Sequence, residues 1–320
     1  MKILVVGAGT VGQVFAWHLR QSGAQVTFFV KPKYSDFGKN GLFLYPLNRA
    51  KDKSVAVKFD EFDVISSFEE IEKHKWDQVY VTFSGAAMDP QWLERFGKSV
   101  KDATVVTIQP GMNSYETFGK YVPPNQVVRG VVAWISYFTP MPGEAVSNPG
   151  VAFWFPFNSK SPFGGDPKRA QEVVHALERG GLPAKHDAGA EGGMVLPSLF
   201  LTAGITGLEL EDWKFSRLSG SENFKLACRA AREAGELEGA GASVCSIQPF
   251  VAHSILKLAQ KVIPFDFETY MKEHFTKVGA QTLVNLANYL DLAKSVGKSV
   301  PAIEELNRRL IEKRSSSQSH

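Results

Sequence analysis

The stretch Met1-Lys2-Ile3-Leu4-Val5-Val6-Gly7-Ala8-Gly9-Thr10-Val11-Gly12 decides how this 320-residue chain reads. Met1 to Val6 is a short apolar run of the kind that forms a parallel strand buried on both faces. It runs straight into glycines spaced G-x-G-x-x-G. Gly7 suits a tight turn, Gly9 lets backbone approach a phosphate, and Gly12 lets the next helix pack closely on the strand. A helical stretch follows over Gln13–Gln21 and closes on Ser22-Gly23, a C-cap pair. A second strand over Gln25–Val30 completes a β–turn–α–β unit in about thirty residues. The start of such a helix offers unpaired N–H groups and a partial positive charge. Gly7, Ala8, Gly9, Thr10, Val11 and Gly12 are therefore expected to hold the pyrophosphate of a dinucleotide.

The end of the second strand selects the dinucleotide. A carboxylate there would accept from the ribose 2′-hydroxyl of NAD. This strand ends Phe29-Val30-Lys31-Pro32-Lys33, with no carboxylate before Asp36. Lys31, with Lys33 beside it, is placed to meet the 2′-phosphate of NADP (NADPH). The plainer alternative is a pair of solvated lysines on a turn.

Outward from this unit, further strands are expected over Gln78–Phe83, Thr104–Ile108, Val127–Trp134 and Val151–Phe155, with a polar helical segment at Phe68–Lys75. Asp166 as N-cap and Pro167 at the first helical position announce a helix to Gly180. Strands alternating with helices predict a doubly wound sheet. After Asp187 only helical period is found, in the segments 193–209, 219–237, 248–261, 267–275, 278–296 and 301–313. The fold class expected is α/β, a Rossmann-type N-terminal domain over 1–187 followed by an all-helical domain over 188–313. The polar ending 314–320 reads as a disordered tail.

Composition narrows the function. A net charge of +3 is too small to suggest a nucleic-acid partner. No uncharged apolar run reaches the length of about 18 residues or more that would span a membrane. Two cysteines, Cys228 and Cys245, provide neither a disulfide scaffold nor a metal set. His253 and His274 have no metal spacing, so no metal is expected. The start of the chain leaves no room for a signal peptide, which points to a cytoplasmic protein. Apolar faces in the helical half would suit a homodimer. The aromatic-rich stretch holding Trp134, Tyr137, Phe138, Phe153, Trp154, Phe155, Phe157 and Phe163 reads mainly as sheet core. A share of those rings could instead form an apolar substrate wall.

Four segments taken in order resemble the ketopantoate reductase (2-dehydropantoate 2-reductase) family. They are the opening Gly7–Lys31, Lys39-Asn40-Gly41-Leu42, Thr107-Ile108-Gln109-Pro110-Gly111-Met112, and Ala293–Pro301. The resemblance implies an NADP-binding domain, a helical second domain, and hydride exchange between NADPH and a carbonyl or hydroxyl carbon of a small substrate between them. It also places Ser84 and Gln109 beside the cofactor.

The same resemblance implies acid–base residues that this chain lacks. The family's lysine on the first helix of the second domain falls at Val195 or Ser198, and Glu191–Leu210 contains no lysine or arginine. Ser198 and Thr202, one helical turn apart, are the hydroxyls nearest that place. The family's late glutamate falls near Gln281, its loop asparagine at Pro110, and a lysine at Ser84. Ser198, Thr202 and Gln281 are thus the candidates for catalysis, and the proton donor is unassigned. A protein that binds the dinucleotide without catalysis, as a sensor or interaction partner, is the alternative. A weaker one is an opine-type dehydrogenase, for which His186-Asp187 would be the histidine–carboxylate pair.

Overall fold

The computed structural model describes residues 1–48, 55–83, 89–108, 118–191, 195–237, 239, 248–277 and 279–317, the side chains of 191–201 and 317 excepted. The chain divides into two compact units, Met1–Met194 and Val195–His320.

The first unit is built on β1 (Lys2–Val6), α1 (Thr10–Gln21) and β2 (Gln25–Phe29). Next come β3 (Leu42–Pro46), β4 (Val57–Phe59), β5 (Asp63–Ile65), α2 (Phe68–Glu72) and β6 (Gln78–Val81). They are followed by α3 (Pro90–Val100), β7 (Thr104–Thr107), β8 (Val127–Gly130), β9 (Ile135–Thr139) and β10 (Gly150–Trp154). β11 (Ser161–Gly165), α4 (Pro167–Arg179) and β12 (Ala184–His186) complete it. Eight strands form one sheet in the order β12-β11-β8-β7-β6-β1-β2-β5. Its pairs are parallel except β11 against β8.

The apolar run of β1 follows from this arrangement. Ile3 and Val5 enter the core on one face, with Phe28 and Tyr80, while Leu4 and Val6 enter the core on the other, with Val79 and Val105. A strand covered on both faces has no solvent side to mark with polar residues. Residues of α1 and α4 supply the first core, and Ile71, Leu93 and Phe96 the second. Asp166 caps α4 by accepting from the Arg169 amide at 3.0 Å, with Pro167 at its start, as its sequence announces.

A second sheet, β4-β3-β10-β9, was not foreseen. It joins β3 and β10 in parallel, Leu44 opposite Val151, across about a hundred residues of chain. α1 packs against β9 and β10 as well as β1, so it lies between the two sheets. Trp134, Tyr137, Phe153 and Phe163 are buried within this unit, and Trp134 stands edge-on to Phe15 at 5.6 Å. Those four rings are core, which removes them from the apolar substrate wall entertained above.

The second unit is helical among its described residues: α5 (Val195–Leu210), α6 (Glu222–Leu237), α7 (Pro249–Val262), α8 (Phe267–Lys277), α9 (Gly279–Ser295) and α10 (Pro301–Ser317). α5 and α6 approach closely at Gly207, where a β-carbon would lie 2.8 Å from that of Ala227. Glu233 of α6 accepts from the amides of Ala302 and Ile303, satisfying donors at the start of α10. Of the tail expected to be disordered over 314–320, residues 314–317 instead continue α10, and 318–320 lie outside the described residues. Arg314 is held by Glu209 through Nε at 2.6 Å and Nη2 at 2.7 Å, and by the carbonyl of Gly279 at 2.9 Å. The turn Ala188–Glu191, just past the boundary expected at Asp187, packs on β11 of the first unit.

Candidate dinucleotide site

β1 is the centre of the topology. The chain leaves it to build β2 and β5 on one side and β6, β7 and β8 on the other. In open parallel sheets ligands bind beyond the carboxyl ends of the strands at such a reversal. The turn after β1 lies there. Gly7 has φ +103°, a conformation that side chains resist, and its amide donates to the Phe29 carbonyl at 3.1 Å.

Gly9 is exposed and extended (φ −69°, ψ −178°), and a β-carbon there would meet nothing within 4 Å. That open space is what a phosphate approaching backbone requires. α1 then starts at Thr10 with no side chain capping it and no acidic residue in its first turn. Its first amides therefore face outward with nothing to repel an anion.

Gly12 answers the packing requirement directly. A β-carbon there would fall 2.3 Å from the Gly7 carbonyl oxygen and 2.7 Å from Thr82 Oγ1. Thr82, just after β6, donates its hydroxyl toward the carbonyls of Val6 and Gly7, both at 3.0 Å. Gln13 holds the turn from the helix side, with Nε2 donating to the Ala8 carbonyl at 2.9 Å. Ala8 and Val11 lean on the core. Sequence reasoning missed Thr82 and Gln13 as supports. A threonine closing the strand beside β1 was a legible signal; the Gln13 contact was not.

Lys31 follows β2 with φ −63° and ψ 147°, opening a short turn over Pro32–Tyr34, and is exposed. Lys33 turns its ammonium over the Tyr34 ring, 4.8 Å from the centroid. Lys31 therefore presents the cation beside this strand end that neither an ion pair nor a ring occupies among the described residues. Ser84 and Gln109, the other residues expected at the cofactor, lie outside the described residues.

In the helical unit Thr202 and Gln281 are brought together through a residue that sequence reasoning did not single out. Gln281 Nε2 donates to Asn285 Oδ1 at 2.9 Å, and Asn285 Nδ2 donates to Thr202 Oγ1 at 3.3 Å. Thr206 Oγ1 donates to the Thr202 carbonyl at 2.8 Å. The set links α5 to α9 with neutral groups only. Ser198 lies on α5, one turn before Thr202, and its side chain is outside the described residues.

His186 and Asp187 do not make the pair an opine-type enzyme would need. The Asp187 carboxylate accepts from the Gly189 amide at 3.0 Å and pairs with Lys185 at 2.9 Å, and these partners hold its pKa below the usual carboxylate range. His186 is exposed at the end of β12. Among the described residues no group of three or more His, Cys, Asp or Glu could hold a metal. Nor is any helix there long and apolar enough to cross a membrane.

A doubly wound parallel sheet with a glycine turn at its reversal, followed by a helical unit, defines the Rossmann-type two-unit class. Within that class, residues 3–157 of this chain match the family model of the ketopantoate reductase PanE/ApbA family. No curated protein matches it in sequence. Several solved structures resemble it along their whole length. A D-mandelate dehydrogenase, solved with NADH and anilino(oxo)acetate, is 16% identical with TM-score 0.72, over 99% of each chain. The 2-dehydropantoate 2-reductase of Geobacter metallireducens GS-15 is 17% identical with TM-score 0.70, over 98% of this chain and 100% of its own. That of Methylococcus capsulatus is 18% identical with TM-score 0.69, over 99% and 98%. At these identities the likeness is one of fold.

Proposed function

We propose that this chain is an NADP-dependent oxidoreductase that exchanges hydride between NADPH and a carbonyl or hydroxyl carbon of a small substrate. The observation that carries the reading is the turn at the sheet's reversal. Its Gly9 is open toward solvent, and its Gly12 and Thr82 are locked against Gly7. A nicotinamide dinucleotide bound there would supply the hydride. The chain's own part is to hold the pyrophosphate on the amides that open α1 and to place Lys31 against the 2′-phosphate. Structural relatives named for the reduction of 2-dehydropantoate or for mandelate and NADH fit this class of reaction.

The substrate is proposed to differ from ketopantoate. Where the family resemblance expects an ammonium and a carboxylate, the helical unit offers Thr202, Asn285 and Gln281, which hydrogen-bond but exchange no proton near neutral pH. The same observation favours a second reading, a dinucleotide-binding protein without catalysis. A small-molecule substrate, a cytoplasmic setting and a homodimer belong to the first reading as proposals.

Titration with NADPH and NADH, then NADPH oxidation against a panel of 2-keto acids and neutral ketones, tests both. NADPH binding with turnover of a neutral or bulky carbonyl is expected. Ketopantoate turnover at ordinary enzyme rates, on the order of 1–1000 per second, would defeat the argument from the neutral set. Tight NADPH binding with no turnover on any carbonyl would establish the second reading.

A further inference from the structure

The small sheet reaches into the phosphate turn at one point. Ser136 of β9 stands 2.9 Å from Thr10, hydroxyl to hydroxyl, joining residues 126 apart in the chain. Thr10 is the first residue of α1. We infer that Ser136 is a positioning residue for the dinucleotide: by donating to Thr10 Oγ1 it aims the Thr10 proton at a pyrophosphate oxygen.

The direction of this hydrogen bond follows from burial. Ser136 is 5% exposed, and its hydroxyl has Thr10 as its one acceptor among the described contacts. A buried hydroxyl whose proton finds no acceptor is unfavourable, so Ser136 donates and Thr10 accepts. The Thr10 proton is then left to point elsewhere. Thr10 is half-buried at the mouth of the turn, beside the exposed Gly9 and the uncapped amides of α1. An anion at that place completes the chain of donors, and a hydroxyl that is itself accepting a bond donates more strongly.

The strand carrying Ser136 is well fixed. Ser136 pairs with Phe153 in the β9–β10 ladder. Beyond it, the Glu144 carboxylate accepts from Tyr137 Oη at 2.8 Å, Thr139 Oγ1 at 2.8 Å and the Met141 amide at 2.9 Å. Those three bonds tie the connection after β9 to the strand, so Ser136 has little freedom to leave Thr10. The second sheet thereby becomes part of the phosphate-binding apparatus rather than only a cover for α1.

This inference rests on the dinucleotide reading above, and one experiment separates the two. Calorimetric titration of the full chain uses NADPH, NADH and 2′-AMP, the last lacking a pyrophosphate. The variants are Ser136→Ala, Thr10→Val, their double, and Ser136→Thr. Ser136→Ala is expected to weaken NADPH by about fivefold and Thr10→Val by about tenfold. The double variant should be no weaker than Thr10→Val, because Ser136 acts through Thr10. Ser136→Thr should recover most of the loss, and 2′-AMP should bind all variants alike. NADPH binding unchanged in Ser136→Ala, losses that add in the double variant, or equal losses for 2′-AMP would each overturn the inference. If the unaltered chain binds neither dinucleotide, the reading beneath it fails instead.

Discussion

Gly12 sits so close to Gly7 that a β-carbon on it would lie 2.3 Å from the Gly7 carbonyl oxygen. The clash is with backbone, and the next nearest atom, Thr82 Oγ1 at 2.7 Å, is itself bonded to that same carbonyl. Neither neighbour can yield without moving the turn. Gly12→Ala is therefore expected to cost about 1–3 kcal/mol of stability through overpacking. It should also weaken NADPH by more than about tenfold, since the amides that would receive the phosphate shift with the turn. Urea unfolding and fluorescence titration measure the two effects. A variant that keeps both unchanged would mean that the close approach carries no function.

Lys31 governs the choice of dinucleotide in this reading, because Lys33 is occupied by Tyr34 while Lys31 is exposed and unpaired among the described residues. Lys31→Ala should weaken NADPH by about tenfold, roughly 1.4 kcal/mol, and leave NADH nearly unchanged. The difference should shrink as salt is raised toward about 1 M, because the contact is solvent-exposed and screened. An unmoved preference in the variant removes the 2′-phosphate from Lys31.

The βαβ unit that carries both of those residues was legible in the sequence because the features that reveal it are local. Gly7, Gly9 and Gly12 lie within one βαβ unit, and their spacing announces the turn and the close helix packing seen at Gly12. The six helices among the described residues of the second unit were likewise marked by their own apolar period. The small sheet was not, since β3 and β4 are three to five residues long and β3 pairs with β10 a hundred residues away. α3 carried a readable start, Asp89-Pro90, and the Asp89 carboxylate does accept from the Trp92 amide at 3.0 Å. Ser136 and Asn285 could not be found from spacing, because their partners Thr10 and Thr202 lie 126 and 83 residues away. The polar ending reads as disordered in sequence for the same reason. Nothing near Arg314 in sequence announces Glu209, 105 residues earlier.

That distant pair gives a stability prediction. Arg314 meets Glu209 with two parallel bonds and adds a third to the Gly279 carbonyl, both side chains being mostly covered. Bidentate pairs of this kind are the stronger class of ion pair. Arg314→Ala, or ending the chain after Lys313, should cost about 2–3 kcal/mol in urea unfolding. Arg308 is the natural control. Its partners Glu305 and Glu312 lie on the same helix with Arg308 exposed to solvent, and Arg308→Ala should cost far less than Arg314→Ala. Equal losses in the two variants would show that Arg314 acts only as a surface charge.

His274 gives the helical unit a pH response of predictable sign. It lies on α8, stacked on Tyr270 at 5.2 Å and edge-on to Phe275 at 4.8 Å. Burial among these rings lowers its pKa from the ordinary histidine value, and the Lys277 ammonium lowers it further. The unfolded chain therefore takes up a proton at a higher pH than the folded one does. Stability linked to His274 is fully present above about pH 6.5 and falls as the pH drops from there toward the depressed folded value. His274→Gln, which cannot titrate, should flatten unfolding stability between about pH 6.5 and 5 relative to the unaltered chain. The measurement is a set of urea unfolding curves across that range at constant ionic strength. If the variant and the unaltered chain lose stability in parallel, another group carries the response and His274 is solvated in the folded state.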